Sequence, residues 1–369
     1  MKKMLSIFIA TILAALTITG CSSTAVSTTA AQTTAKAATT SGEASAADTT
    51  ADTTIVKTGT VSKIAFCFQD LETEFWVAGH NAIVETLKAK GIDVIEYNAN
   101  EDANKQLEQV NDAIAQNVDG IILIAQDSES ALTMVKTANA ANVPIALFNR
   151  PPATDEGAVI TVVADNEEIA YKAAQYLVSE ARKVFDKTGK KIVIGHMIGD
   201  LGDSNAVARK QGFERAVAED PDIFEKTVEI PTKWDANTAL ANLRSAMQSE
   251  PNIGLIFCGS DFLYPQIQSV LEPLGKWQPI GDPNHIILGA VDGDSGAGKL
   301  MDDGFVDATA VQDVYFEANA AMNAIIKAVE SGVTQPDEVI KDPGFALTQG
   351  NMAEMHDKMW GNILRAAKS

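Results

Sequence analysis

The sequence predicts an α/β protein of two lobes, each built on a doubly wound parallel sheet. Three observations lead there. From Lys63 onward, short apolar runs alternate with longer amphipathic segments. The runs are apolar at successive positions rather than at every second one, as strands buried on both faces are. The series pauses across residues 151–170 and then starts again, which makes two lobes.

The elements follow in order. "KIAFCF" is a strand, and "EFWVAGHNAIVETLKAK" a helix with Trp76, Ile83, Val84 and Leu87 on one face, stopped by Gly91. "IDVIEYN" is a strand; "DANKQLEQVNDAIAQ" is a helix with Leu107, Val110 and Ile114 in register. "VDGIILIA", "SESALTMVKTANAAN" and "VPIALFN" continue as strand, helix and strand. After "PPATDEGAVITVVADNEEIA" come "KKIVIGHM", "SNAVARKQGFERAVAE", "FEKTVEIP", "DANTALANLRSAMQSE", "NIGLIFCG" and "HIILGAVD". Each strand–helix unit takes roughly 28 residues, about what a parallel crossover needs.

The start of the chain reads differently. Lys2 and Lys3 precede the uncharged "MLSIFIATILAALTITG". About 15 apolar residues suit an export signal better than a spanning helix, which needs ~20. The stretch ends in Ile18-Thr19-Gly20-Cys21, which resembles the lipobox of bacterial lipoproteins. That resemblance implies cleavage after residue 20 and lipid on the sulfur of Cys21. Residues 22–60 are nearly all Ser, Thr, Ala and Gly with a few charges, and almost no large apolar residue before Ile55 and Val56. They bury too little to offset ordering and read as a flexible, lipid-anchored tether over 21–60.

Composition bounds the remainder. The 309 residues from Val61 suffice for two medium domains. A net charge of −20 excludes nucleic acid and an anionic membrane surface as partners. Cys67 and Cys258 sit in apolar strands and read as core thiols; no CxxC and no Cys/His cluster suggests a metal or other cofactor. "GDSGAGKL" at 293–300 approaches a phosphate-binding loop but ends in Leu300 where a magnesium-holding hydroxyl belongs.

Doubly wound sheets bind ligands at the carboxyl ends of their strands. The residues there are Asp70 to Trp76, Asn149-Arg150, Asp203 to Arg209, Trp234-Asp235, Ser260-Asp261, Asp292 and Gln312. Aromatic faces, guanidinium and amide donors and carboxylate acceptors suit a polyhydroxylated ring. No nucleophile–base pair and no phosphate cradle appears among them, so the chain reads as a binding protein and not an enzyme. Asp235 serves equally as a helix cap, and Asp292 as a cap for the helix after Gly293.

The ordered set "ETEFWVAGHNA", "ANEDANKQLEQVNDAIAQNVDGIIL", "VPIALFNRP", "ARKQGFERA", "KWDANTA", "GAVDG" and "TAVQD" resembles the periplasmic sugar-binding proteins of ABC transporters, of the ribose, galactose and xylose type. The resemblance runs from about Val61 to the end. It implies the type I periplasmic binding protein fold with a three-crossing hinge near Val163-Ala164, Gln312-Asp313 and Asp342-Pro343. The lobes are then 61–163 plus 313–342 and 164–312 plus 343–369. It implies that Phe75 and Trp76 stack on one face of a sugar and Trp234 on the other. Asn149 and Arg150 bond hydroxyls from the first lobe, Arg209 with Asn205 from the second. Asp292, held ionised between arginines, accepts two hydroxyl protons, and Ser260 and Gln312 add polar contacts. Asn149 stands where the ribose type has Asp, and Ser260 where Asn is frequent. The galactose type's calcium loop is not expected in "DKTGKK". The implied protein is an exported monomer on the outer face of the cell membrane or in the periplasm. It captures a monosaccharide or polyol and delivers it to an ABC permease, or hands a sugar or furanose signal to a signalling receptor.

Overall fold

Among residues 59–368, which the computed structural model describes, two six-stranded sheets carry the fold. The predicted signal segment and Cys21 lie outside these residues, as does all of the predicted tether except its last two positions. In chain order the elements are β1 (Lys63–Phe68), α1 (Glu74–Ala89), β2 (Asp93–Asn98), α2 (Ala103–Ala115), β3 (Gly120–Leu123), α3 (Ser128–Ala140), β4 (Ile145–Phe148), β5 (Ile160–Ala164), α4 (Asn166–Thr188), β6 (Ile192–Ile198), α5 (Ser204–Glu219) and β7 (Phe224–Pro231). They continue as α6 (Ala236–Ser249), β8 (Ile253–Cys258), α7 (Tyr264–Leu271), β9 (Ile287–Asp292), α8 (Ser295–Asp302), β10 (Ala308–Val311), α9 (Val314–Glu330), β11 (Glu338–Asp342), β12 (Phe345–Thr348), α10 (Met352–Met355) and α11 (Trp360–Lys368).

The first sheet runs β2-β1-β3-β4-β5-β11, all parallel. The second runs β7-β6-β8-β9-β10-β12, parallel except for β12, which pairs antiparallel with β10. That departure from an all-parallel lobe has a local cause. Only Pro343 and Gly344 join β11 to β12, too few for a parallel crossover, so the strand enters the second sheet reversed. Gly344 takes a φ of +46°, and a Cβ there would stand 2.5 Å from the Val311 carbonyl oxygen.

Central strands β1, β3 and β4 are buried almost throughout, whereas edge strand β2 has no fully buried residue and edge strand β7 turns its buried positions to one face. Helix α1 buries Trp76, Ile83, Val84 and Leu87. Helix α2 packs its predicted face on the core, Val110 fully buried and Leu107 and Ile114 half-buried against it, and buries Gln106 and Gln109 as well. Their amides bond backbone at the strand ends, Gln106 Nε2 to the Ile124 carbonyl at 2.8 Å and Gln109 Nε2 to that of Asn98 at 2.8 Å. Gln106 is satisfied at both ends, its Oε1 accepting from Gln126 N at 3.0 Å, and is buried at little cost. Cys67 and Cys258 are free, buried thiols, pushed up to about 12 by burial. No helix among the described residues is long and apolar enough to cross a membrane.

The chain passes between the sheets three times: from β5 into α4, which packs on β9, β10 and β12; from β10 into α9, which packs on β3, β4 and β5; and from β11 to β12. Asp342 ties the three passages together. Its Oδ2 accepts from Asp313 N at 2.5 Å, its Oδ1 from Gly344 N at 3.0 Å, and its carbonyl from Asp165 N at 3.1 Å.

Candidate functional site

Strand ends from both lobes converge on one cavity of about 610 Å³. It is lined by Phe75, Trp76, Asn149, Arg150, Asn205, Arg209, Trp234, Ser260, Asp292 and Gln312, so the structure brings all ten sequence-selected side chains together.

The first lobe contributes the start of α1, where the hydroxyl of the N-cap Thr73 accepts from Trp76 N. Phe75 stacks on Phe148 at 6.3 Å between ring centroids and meets Trp360 edge-on at 5.9 Å. Trp76 lies edge-on to Phe75, and the Arg150 guanidinium stands 5.5 Å from its centroid. Beyond β4, Arg150 Nη1 donates to the carbonyls of Ala125 at 3.1 Å and Gln126 at 2.7 Å and to Gln69 Oε1. Its Nε lies 3.1 Å from Asp203 Oδ2, an ion pair across the cleft. The geometry falls short of a hydrogen bond.

In the second lobe Asp203 caps α5 through Asn205 N at 2.9 Å, and Asn205 and Arg209, four residues apart, share a helix face. Arg209 Nη1 reaches the Gly259 carbonyl at 2.8 Å and Asp292 Oδ1 at 2.9 Å. Its guanidinium stands 5.7 Å from the Trp234 centroid. Trp234 Nε1 donates to Asp203 Oδ2 at 3.2 Å. Ser260 donates to Asp292 Oδ2, and Gln312 Nε2 to Asp292 Oδ1 at 2.6 Å.

Three of these residues hold backbone conformations that L side chains seldom adopt: Asn149 at φ 71°, Trp234 at 56° and Asp292 at 118°. Such strain costs about 1–3 kcal/mol per residue and persists where the surroundings fix it. Here it turns the three side chains off the strand ends into the cavity.

Two expectations are corrected. Arg209 alone reaches Asp292, because Arg150 is held by Asp203. Burial raises the Asp292 carboxyl above its ordinary range, against the opposing pull of Arg209, Ser260 and Gln312. The helix after Gly293 is capped by Asp294, which accepts from Ala297 N at 2.7 Å, not by Asp292. Asp235 caps α6 through Thr238 N at 2.7 Å while also lining the cavity.

Sequence reasoning placed Asp203 among the strand-end residues but gave it no role of its own. It also passed over Asn166, which joins Arg209 to Asn205, and Glu317, a fully buried acid on α9 that accepts from Asn149 Nδ2 at 2.9 Å. Burial pushes Glu317 well above the usual carboxylate range, partly offset by Asn149. The cavity is lined by further carboxylates, among them Asp70, Glu72, Glu101 and Asp200. Glu101 is raised by burial and by Asp70, Glu72 and Asp235.

Two lobes on a three-strand hinge, enclosing an aromatic- and guanidinium-lined cavity, define a cleft receptor for small solutes. The periplasmic binding protein domain matches residues 64–332. The chain belongs to that family. It is 24% identical over 275 residues to the D-apiose import binding protein of Actinobacillus succinogenes, covering 74% of this chain and 84% of that one. It is 28% identical over 218 residues to the ribose import binding protein of Bacillus subtilis, covering 58% and 66%. The arabinose-transporter binding protein of Shewanella sp. ANA-3, solved with L-arabinofuranose, superposes with a TM-score of 0.68 at 22% identity, covering 83% and 97%.

Proposed function

We propose that this chain is a lipid-anchored, extracytoplasmic binding protein that captures a monosaccharide, pentose, hexose or related polyol, between its lobes and delivers it to an ABC-transporter permease. One observation carries the reading: each lobe presents an indole backed by a guanidinium, Trp76 with Arg150 and Trp234 with Arg209, around the buried Asp292. Flat rings take the C–H faces of a sugar, while guanidinium and carboxylate take its hydroxyls. Carboxylates around the same cavity repel anions, so the cargo is neutral rather than phosphorylated. The import roles of the apiose- and ribose-binding relatives support delivery. On this reading the site binds without chemistry, with Asp203 and Asp292, the carboxylates beside the indole of the second lobe and its arginine, engaged by Arg150 and Arg209.

Closure holds both lobes on the ligand, and moving a population from mostly open to mostly closed takes ~5 kcal/mol of differential binding. Stacking at ~1 kcal/mol per ring and charge-assisted hydrogen bonds at ~1.5–3 each supply it. Cys21 would hold the protein at the outer face of the membrane through its lipid.

A thermal-shift screen against pentoses, hexoses, polyols and nucleosides tests the reading, because a ligand that binds only the folded form raises the melting point. A shift with one or two monosaccharides is expected. Silence across the sugars with a shift from a nucleoside would move the cargo to another class.

A further inference from the structure

Six buried side chains form an unbroken ring of polar contacts through the hinge. Arg209 Nε donates to Asn166 Oδ1 at 2.7 Å. Asn166 Nδ2 donates to Asn205 Oδ1 at 3.1 Å, and Asn205 Nδ2 to Asn149 Oδ1 at 3.1 Å and to the Asn149 carbonyl at 3.0 Å. Asn149 Nδ2 donates to Gln312 Oε1 at 3.0 Å, and Gln312 Nε2 to Asp292 Oδ1 at 2.6 Å. The Arg209–Asp292 pair closes the ring at 2.9 Å. None of the six is more than 8% exposed.

The direction of the ring is fixed by its ends. A guanidinium only donates and an ionised carboxylate only accepts, so each amide between them has one possible orientation. Each of the four amides between them must therefore be both donor and acceptor. The contact from Asn205 to Asn149 spans the lobes, because Asn149 follows β4 of the first sheet and Asn205 lies on α5 of the second lobe. Asn149 is fully used by protein groups: its Nδ2 also serves Glu317 Oε2 at 2.9 Å.

We propose that Asn149 is a lobe latch rather than a sugar contact, and that its relay through Asn205, Asn166 and Gln312 populates the closed form without any sugar. The relay is a positioning device. Glu317 and Gln312 present acceptors to residue 149, so an aspartate there would meet two oxygens and break the ring. The proposal concerns closure alone and does not depend on which cargo the cleft takes.

The test is the distance between spin labels carried on non-natural amino acids at the exposed positions Glu108 on α2 and Ala241 on α6, in the full-length chain, with no sugar present. A short-distance component is expected in the unaltered protein. N205D keeps the shape but loses the donor, and should cut that component at least threefold; N149D should do the same. N149D/E317Q returns a donor at one of the two oxygens that oppose the new carboxylate and should recover part of that component, which loss of general stability could not do. Should N149D fail to fold, N205D carries the test. Equal short-distance fractions in the unaltered protein and N205D, absence of that component in the unaltered protein, or a folded N149D/E317Q no more closed than a folded N149D would overturn the latch.

Discussion

Trp234 packs so closely on Gly199 that a methyl group on that glycine would stand 2.2 Å from Cη2 and Cζ2 of the indole. The glycine is thus the floor that sets the ring's height in the cavity. The same indole is aligned by Asp203 through Nε1 and faced by Arg209, so its position couples three groups of the second lobe.

G199A should therefore displace the indole while leaving the strand intact. A desolvated guanidinium–indole contact is worth up to ~2 kcal/mol, and a sugar-stacking face is lost with it. Titration calorimetry with the sugar identified by the thermal screen should show affinity reduced at least ~10-fold, about 1.4 kcal/mol. Unchanged affinity in a folded G199A protein would remove Trp234 from the binding face.

Asp292 gives a second expectation. It accepts from Arg209, Gln312 and Ser260, and is the acidic end of the hinge relay. D292N keeps the volume but leaves the buried Arg209 guanidinium without its counter-charge. Losing one partner of a buried, hydrogen-bonded charge pair costs about 2–5 kcal/mol. Sugar affinity should fall by a factor of about 30 or more. An affinity within about threefold of the unaltered protein would mean that Asp292 organises the hinge and does not meet the cargo.

Much of this arrangement is legible in the residues themselves. Apolar runs such as "GLIFC" and "ILGAV" are buried strands because both sheet faces are covered, and the strand-end rule collects Trp76, Arg150, Arg209 and Asp292 at one place. What escaped has a physical reason. Asn166 carries the signature of a helix start, and Asp203 is collected with the strand-end residues without a role, because their bonds to Arg209 and Trp234 are made across 43 and 31 residues of chain. Gln106 and Gln109 read as a solvated face because a side-chain amide's backbone partner cannot be seen from periodicity. The left-handed backbone at Asn149, Trp234 and Asp292 contradicts local preference outright, and only the surrounding packing holds it.

The last expectation concerns pH. Asp294 caps α8 beside Glu74, which reaches over from the first lobe to accept from Ser295 N at 2.8 Å. Burial, with the nearby Glu74 and Asp292 charges, lifts Asp294 from 3.8 to about 6, although the amides of Ala297 and Gly296 pull it down. The folded form then binds a proton more tightly than the unfolded chain between those two values. Its contribution to stability is therefore largest at the acid end, is lost as pH rises from about 4 through about 6, and stays lost above. A shift of about two pH units corresponds to at most ~3 kcal/mol, less once relaxation around the partly exposed carboxyl is allowed for. D294N keeps the cap, since asparagine caps helices as well as aspartate, and removes the charge. Its melting temperature at pH 7 should rise by several degrees. The difference from the unaltered protein should shrink toward zero as pH is lowered to about 4. A constant difference between the two profiles, or a lower melting point for D294N at pH 7, would show that the Asp294 charge is accommodated in the folded state without cost.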